Sequence, residues 1–408
     1  MGATKFGRGM GPAILITDGT ERAALATARA LVAAGYEVHV AAPARLSLAG
    51  VSRGVQPCAL RTSPLVSPAA YAAELGRAVS ARGIRVLLPM TDASVEAVLE
   101  HRHLLPPPAE LALPLPDLTS YRRASDKLAV LELGRSAGFE VPETVVLECP
   151  EQGSDLSQDL FPAVVKPHRS VVDVQGRRAT LGVAFVADAG ACARALAALP
   201  RSAFPVLLQR RVSGVGEGLF VLRWGGRTVA RFAHRRLREK PPAGGVSVYR
   251  ESIPPDPELV SAGEQLLDTL GWQGVAMIEC KRDPESGRHV IMEVNGRFWG
   301  SVQLAVDAGV NFPALLVQCA LGDELPSLTG TSYRVGIRSR WFWGDVDHLY
   351  LRLTRSRSRL QLGSDAGSRL RALGQFFTIH PTRDRCEVWR WRDPAPFLLE
   401  TLQRIGLC

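Results

Sequence analysis

Lysine is scarce in this 408-residue chain. Five of its 49 basic residues are lysine, at positions 5, 127, 166, 240 and 281, and the rest are arginine. The net charge of +9 would ordinarily point to nucleic acid or an anionic surface. Here it reads as a compositional habit of an Ala- and Arg-rich chain. No dense basic run with interleaved aromatics appears, so nucleic acid is not an expected partner. Cysteine gives no framework either: the seven, at 58, 149, 192, 280, 319, 386 and 408, are scattered, odd in number and never spaced Cys-x-x-Cys. That excludes a disulfide scaffold or a structural zinc site and favours a reducing cytoplasm. No apolar run approaches the roughly 18–20 residues of a membrane span, so no membrane association is expected. The stretch AILIT is too short for a signal-peptide core and runs into Asp18. There is no repeat at solenoid periods.

What is present is an apolar fraction of 46%, enough for two or three packed units. One stretch organises the rest: VAMIECKRDPESGRHVIMEVNGRFWGS, residues 275–301. Val275–Cys280 and His289–Asn295 read as strands joined by the turn residues of DPESG. Side chains alternate faces along a strand, so Glu293 and Asn295 point the same way, with Glu279 opposite or diagonal on the partner strand. Two carboxylates and a carboxamide then share one face. Like charges at cross-strand distance repel, and oxygen-only ligands suit a hard cation such as Mg²⁺. Arg297 follows at once, a planar fork for phosphate or carboxylate.

Glu279 followed by Glu293-x-Asn295-x-Arg297 resembles the metal-binding end of the ATP-grasp superfamily, in the carboxylate–amine ligase-like branch typified by the large subunit of carbamoyl-phosphate synthase. The resemblance implies that Glu279, Glu293 and Asn295 hold two Mg²⁺ ions, or Mn²⁺, on the phosphates of ATP. It implies that Arg297 contacts phosphate or the reacting carboxylate.

Ahead of this region, Ala13–Thr17, Glu21–Ala34 and Glu37–Ala42 read as a β-α-β unit, followed by helix Ala69–Arg82 and strand Val86–Pro89, which favours a parallel sheet. Residues 1–12 are Gly-rich and read as frayed. The turn Asp18-Gly19-Thr20-Glu21 lacks the glycines a dinucleotide fingerprint needs, and its acids would repel a pyrophosphate. Thr91 and Asp92 suit either a helix cap or, by resemblance, a substrate contact. The Pro-rich stretch 106–116 is a boundary.

A helix is expected from Thr119 or Ser120 through Ala137, with Lys127 inside it. By resemblance Lys127 contacts phosphate, and Gly138 and Pro142 match the family spacing. Lys166 ends the buried strand of Phe161–Pro167 and wants an anionic partner; in the family this lysine touches the α- and β-phosphates. No Gly-rich flap follows, since His168-Arg169-Ser170 stands there, so closure is left to side chains such as Arg169. By resemblance, Gln209 to Val212 is the hinge whose backbone meets adenine, and Glu217 holds the ribose. The run His234–Gly245 reads either as a solvated loop or as a mobile arm whose Arg236 and Arg238 neutralise the transferring phosphoryl group. Arg338, Arg340, Trp341 and Trp343 form one strand-like stretch that either closes an acceptor pocket or packs domains together.

The expected architecture is an α/β N-terminal domain (1–118), a two-lobed α+β ATP-grasp fold (119–325, small lobe about 145–206) and a C-terminal extension (326–408). The resemblance implies an ATP-dependent ligase joining an amino-acid-like carboxylic acid to an amine through an acyl phosphate. Its partners would be small molecules, and a homodimer is compatible. Carboxylation through carboxyphosphate, or nucleotide binding without turnover, are the alternatives.

Overall fold

The computed structural model describes residues 11–154, 156–323, 332–360, 362 and 366–407. The Gly-rich start, most of 326–332 and Cys408 therefore lie outside the described residues. Two compact units emerge. One holds the described residues of 11–115, 311–323 and 388–407; the other holds those of 116–310 and 332–387. The division at Leu115/Pro116 coincides with the Pro-rich boundary. The described residues of the expected C-terminal extension are divided between the two units.

The first unit is a parallel sheet of β1 (Gly11–Ile16), β2 (Tyr36–Ala42), β3 (Val55–Ala59) and β4 (Val86–Leu88), in the order β3-β2-β1-β4. Its helices include α1 (Arg22–Ala33), α2 (Pro68–Arg82) and α3 (Asp92–Glu100). Asp18 adopts a left-handed φ of 54°. There its carboxylate accepts from Ser94 Oγ at 2.6 Å and from the Met90 N–H at 3.2 Å. Thr91 and Ser94 form a reciprocal capping box on α3, so helix capping accounts for Thr91.

The second unit opens with α4 (Leu118–Ser125) and α5 (Lys127–Ser136). The single helix expected here is broken at Asp126. That residue is extended, and its carboxylate accepts from the N–H groups of Leu128 and Ala129. An aspartate satisfies a helix start better than a helix interior. The break leaves Lys127 at the first position of α5.

A small antiparallel sheet follows. Its strands are β5 (Thr144–Leu147), β6 (Ala163–Pro167), β9 (Ala184–Val186) and β10 (Val206–Arg210), ordered β5-β10-β6-β9, and the separate hairpin β7 (Val171–Val174)–β8 (Arg177–Thr180) lies between β6 and β9 in the chain. This hairpin occupies the place of the missing Gly-rich flap. Gln175 and Gly176, at φ 54° and 78°, make its two-residue turn. Helix α6 (Ala189–Ala197) completes this lobe.

The large sheet comprises β11 (Val215–Trp224), β12 (Arg227–Lys240), β13 (Val246–Ile253), β14 (Gly274–Arg282), β15 (His289–Asn295), β16 (Arg338–Arg340) and β17 (Asp384–Cys386), ordered β15-β14-β11-β12-β13-β16-β17. The run read as a loop or arm, 234–240, is strand: β12 lies between β11 and β13 and is hydrogen-bonded to both. Helix α7 (Pro257–Thr269) packs so closely on one face that a Cβ on Gly263 would fall 2.6 Å from Leu219. The same face meets α5, where a Cβ on Gly134 would lie 2.9 Å from Ile291. Helices α8 (Val302–Ala308), α9 (Phe342–Thr354) and α10 (Arg369–Phe377) follow. Trp343 therefore belongs to a helix rather than to the strand of Arg338 and Arg340. Among the described residues, no single helix is long and apolar enough to cross a membrane.

Candidate active site

Strand register decides which side chains meet. Glu279 of β14 stands directly opposite Glu293 of β15, and on its other side opposite Gly218 of β11. His234 of β12 continues this row. The next row on the same face holds Lys281, Gly216 and Arg236. The face of the sheet away from α7 thus gathers Glu279, Glu293, Asn295 and Lys281.

The charges are arranged in two sets. Arg236 Nη2 lies 2.6 Å from Glu279 Oε2, while its Nη1 donates to Glu239 Oε1 at 2.8 Å. Burial alone would ease the proton off Arg236, but the two carboxylates hold it more firmly than usual. Burial pushes the Glu279 carboxyl up; Arg236 opposes this and the Glu293 charge adds to it. Glu293 behaves oppositely. Burial resists its ionisation, yet Lys127, the Asn295 amide and Lys166 hold it below the ordinary carboxylate range. Asn295 Nδ2 donates to Glu293 Oε1 at 3.0 Å. Arg297 reaches Asn295 Oδ1 at 3.4 Å and the Phe298 carbonyl at 3.1 Å.

Lys127, at the start of α5, and Lys166, in β6, both act electrostatically on Glu293. Lys127 Nζ lies 3.2 Å from Ser170 Oγ, and its backbone N–H donates to the His168 carbonyl at 2.9 Å. Lys166 sits in β6 opposite Leu207. Burial pulls its pKa down, partly restored by Glu293. Arg169 approaches Asp126, the cap of α5, at 3.9 Å.

A hard divalent cation fits this donor set. Two carboxylates face each other across a strand pair with a carboxamide beside them, and the Arg236 guanidinium already satisfies the demand for positive charge at Glu279. No group of three or more His, Cys, Asp or Glu side chains converges among the described residues, so an ion held here requires further oxygens from a ligand.

The other anticipated residues fall differently. Gln209 is buried, with its amide donating to Thr144 Oγ1 at 3.2 Å and its backbone in the β10 ladders. The N–H groups of Arg210 and Arg211 are already given to the carbonyls of Glu143 and Pro162. Val212 lines a cavity of about 570 Å³ with Gly214, Gly216, Arg236 and Lys281. Its carbonyl accepts from Lys281 Nζ at 2.9 Å.

Glu217 does not reach this face. It is opposite Cys280, one residue out of phase with Glu279, and shares the α7-covered face with Leu219. There it is buried against His289 Nε2 at 3.1 Å. A ribose contact from Glu217 is therefore corrected to a structural pairing behind the sheet. Glu217→Gln should leave nucleotide affinity within about twofold while destabilising the fold by roughly 1–3 kcal/mol; calorimetric titration and thermal unfolding read the two.

Arg238 is likewise committed elsewhere. Its Nε and Nη2 each lie 2.6 Å from the fully buried Asp345 carboxylate, and its guanidinium stacks 4.3 Å from the Tyr249 ring centre. Arg340 shares Asp345 at 2.5 Å. Arg238 thus fastens α9 to the sheet rather than extending as a mobile arm. Lys240 pairs with Asp347 of the same helix.

Two residues went unassigned by sequence reasoning. His234 lies on the same face as Glu279, packed edge-on to Phe220 at 4.7 Å, and burial drives its pKa well down. Lys281 is the second. The two-residue period from Glu279 would have found it.

Residues 206–341 match the profile of a family described as ATP-grasp in the biosynthetic pathway with Ter operon. Solved structures resemble the chain at low identity. An L-amino acid ligase from Bacillus licheniformis is 16% identical, with a TM-score of 0.56 over 77% of this chain and 75% of that one. The N5-carboxyaminoimidazole ribonucleotide synthetase of Thermus thermophilus is 18% identical, with a TM-score of 0.56 over 79% and 81%. The biotin carboxylase domain of Hydrogenobacter thermophilus 2-oxoglutarate carboxylase, solved with MgADP, ADP and bicarbonate, is 13% identical, with a TM-score of 0.60 over 81% and 74%. No curated protein sequence matches.

Proposed function

We propose, from the premise that this chain belongs to the ATP-grasp superfamily, that it is an ATP-dependent ligase joining a carboxylic acid to an amine, with release of ADP and phosphate. The observation that carries the reading is the meeting of Glu279, Glu293 and Asn295 with Lys127 and Lys166 around one face of the large sheet. Glu279, Glu293 and Asn295 would hold Mg²⁺, which supplies charge neutralisation on the phosphates of ATP.

The chain's own residues do the rest by placement and charge, because phosphoryl transfer asks mainly for those. Lys166 and Lys127 face the phosphates from the small lobe and the start of α5. Arg297, anchored by Asn295 and the Phe298 carbonyl, presents a fork to the reacting carboxylate or the phosphate it acquires. The carboxylate attacks the γ-phosphorus and ADP leaves; the amine then displaces phosphate from the acyl phosphate and gives up a proton. The β7–β8 hairpin follows Lys166 directly and is placed in the chain to exclude water from that intermediate. An amino-acid-like acid is the substrate class the ligase reading favours.

An ADP-release assay with pooled amino acids and amines tests this. Release that requires both an acid and an amine supports ligation. Release that requires bicarbonate instead moves the assignment to carboxylation. No stimulated release, despite nucleotide binding, assigns a binding protein without turnover.

A further inference from the structure

With Glu217 turned to the α7-covered face, another carboxylate stands where the sugar of the proposed nucleotide would lie. Glu239, near the end of β12, lines the cavity of about 570 Å³ together with Val212, Gly214, Gly216, Arg236 and Lys281. Arg236 fixes its place along that cavity. Arg236 Nη1 donates to Glu239 Oε1 at 2.8 Å, and Nη2 lies 2.6 Å from Glu279 Oε2. Glu239 is thus one guanidinium away from a carboxylate assigned to the metal. The same cavity reaches the hinge between β10 and β11 at Val212 and Gly214. A nucleotide with its base at that hinge and its phosphates at Glu279 and Glu293 lays its sugar between them, on the wall that carries Glu239.

The local backbone is built around this residue. The β12–β13 ladder shifts register on both sides of Arg238. Such irregularities re-aim side chains and recur beside active sites. Helix α9 then clamps three consecutive residues. Asp345 holds Arg238 at 2.6 Å, His348 Nδ1 donates to the Glu239 carbonyl at 2.6 Å, and Asp347 pairs with Lys240. The helix begins at Phe342, one residue past the last position that the family profile matches. Oε1 of Glu239 takes Arg236, which leaves Oε2 for a hydroxyl. A carboxylate accepts from a hydroxyl in a charge-assisted bond, and a fixed backbone lowers the ordering cost of making it.

We propose that Glu239 holds the ribose hydroxyls of the nucleotide, so that the site selects ribonucleotides over nucleotides that lack them. This rests on the nucleotide-site reading above and names the sugar contact within it.

Isothermal titration of the full chain with Mg²⁺ and either ADP or 2′,3′-dideoxy-ADP tests it. The wild type is expected to bind ADP more tightly by about tenfold or more, the scale of a hydrogen bond to a charged group. Glu239→Gln matches the carboxylate in size and can still accept from Arg236 through Oε1. It should cut the ratio of dissociation constants by at least about threefold, mainly by weakening ADP. A carboxylate that serves only as counter-charge to Arg236 would instead weaken both nucleotides alike. An unchanged ratio in Glu239→Gln therefore overturns the inference. So does a wild type that binds the two nucleotides within about threefold of each other, whether or not the variant folds. Binding of neither nucleotide overturns the nucleotide-site reading itself and this inference with it, a result distinct from equal binding of both.

Discussion

Glu293→Gln is expected to lower substrate-dependent ADP release by about 10³-fold or more, a barrier increase of roughly 4 kcal/mol, while the protein folds normally. The substitution changes charge and little else. Glutamine keeps the length of the side chain and an Oε1 that can accept from Asn295 Nδ2, a contact of 3.0 Å in the wild type. β15 retains its pairing with β14 and its bond from the Ile291 N–H to the Glu140 carbonyl. What is lost is the carboxylate that Lys127, Asn295 and Lys166 keep ionised against its burial. A carboxamide cannot offset a divalent charge, so half-saturating Mg²⁺ should also rise. Titrating Mg²⁺ against ADP release, with circular dichroism alongside, reads both effects. Normal turnover by this variant would remove Glu293 from the metal site and with it the basis of the proposed function.

On the proposed reading, the same geometry would give Arg236 a part in the metal requirement. Its guanidinium rests between Glu279 and Glu239, so an ion reaching Glu279 competes with a charge already there. Glu239 retains Arg236 when that contact is surrendered. In the proposed site Arg236 would face the phosphates from a strand fixed along both edges, not from a swinging loop. If Arg236 neutralises the transferring phosphoryl group as proposed, it would do so by side-chain rotation.

How much of this was legible in the residues alone follows from the range of the interactions. The hairpin around Glu279 and Glu293 was readable because its alternation and turn chemistry are local, and the two acids do stand opposite each other. Glu217 was assigned by family resemblance, and the register that turns it to the other face is hard to read because Gly216 and Gly218 flank it. Neither carries a side chain to mark which face is which, and a shift of one residue reverses the face. Asp126 interrupts a stretch whose helical pattern continues on both sides; only the cap geometry reveals the break. The run at 234–240 could be read as a solvated loop or a mobile arm because acidic partners that pin it lie far off in sequence: Glu279 for Arg236, Asp345 for Arg238 and Asp347 for Lys240. A charge run reads as a loop when its counter-charges lie on other elements. The division of residues 311–407 between two units has no local signal at all, since it depends on which surface each segment covers.

Lys166→Met is expected to cost about 10²–10³-fold in kcat/KM, the usual loss when one preorganised charge donor at a reacting centre is removed. Methionine matches the volume of the buried part of lysine and suits β6, where the fully buried Leu207 stands opposite it in the ladder. The fold should therefore persist, since the substitution also removes a buried ammonium. The wild type should show a further signature. Burial lowers the Lys166 pKa in the ligand-free protein, so the ammonium that meets phosphate is lost at a lower pH than for an ordinary lysine, whose pKa is about 10.4. The profile of kcat/KM, which reports the free enzyme, should accordingly fall on its alkaline side below that value. The profile of kcat should fall later, because a bound phosphate stabilises the charged form. Lys166→Arg keeps a charge throughout this range, so it should erase the alkaline limb of kcat/KM even if its longer fork lowers the rate overall. An unchanged limb in Lys166→Arg would assign that titration to another group, and full activity in Lys166→Met would remove Lys166 from the phosphate site.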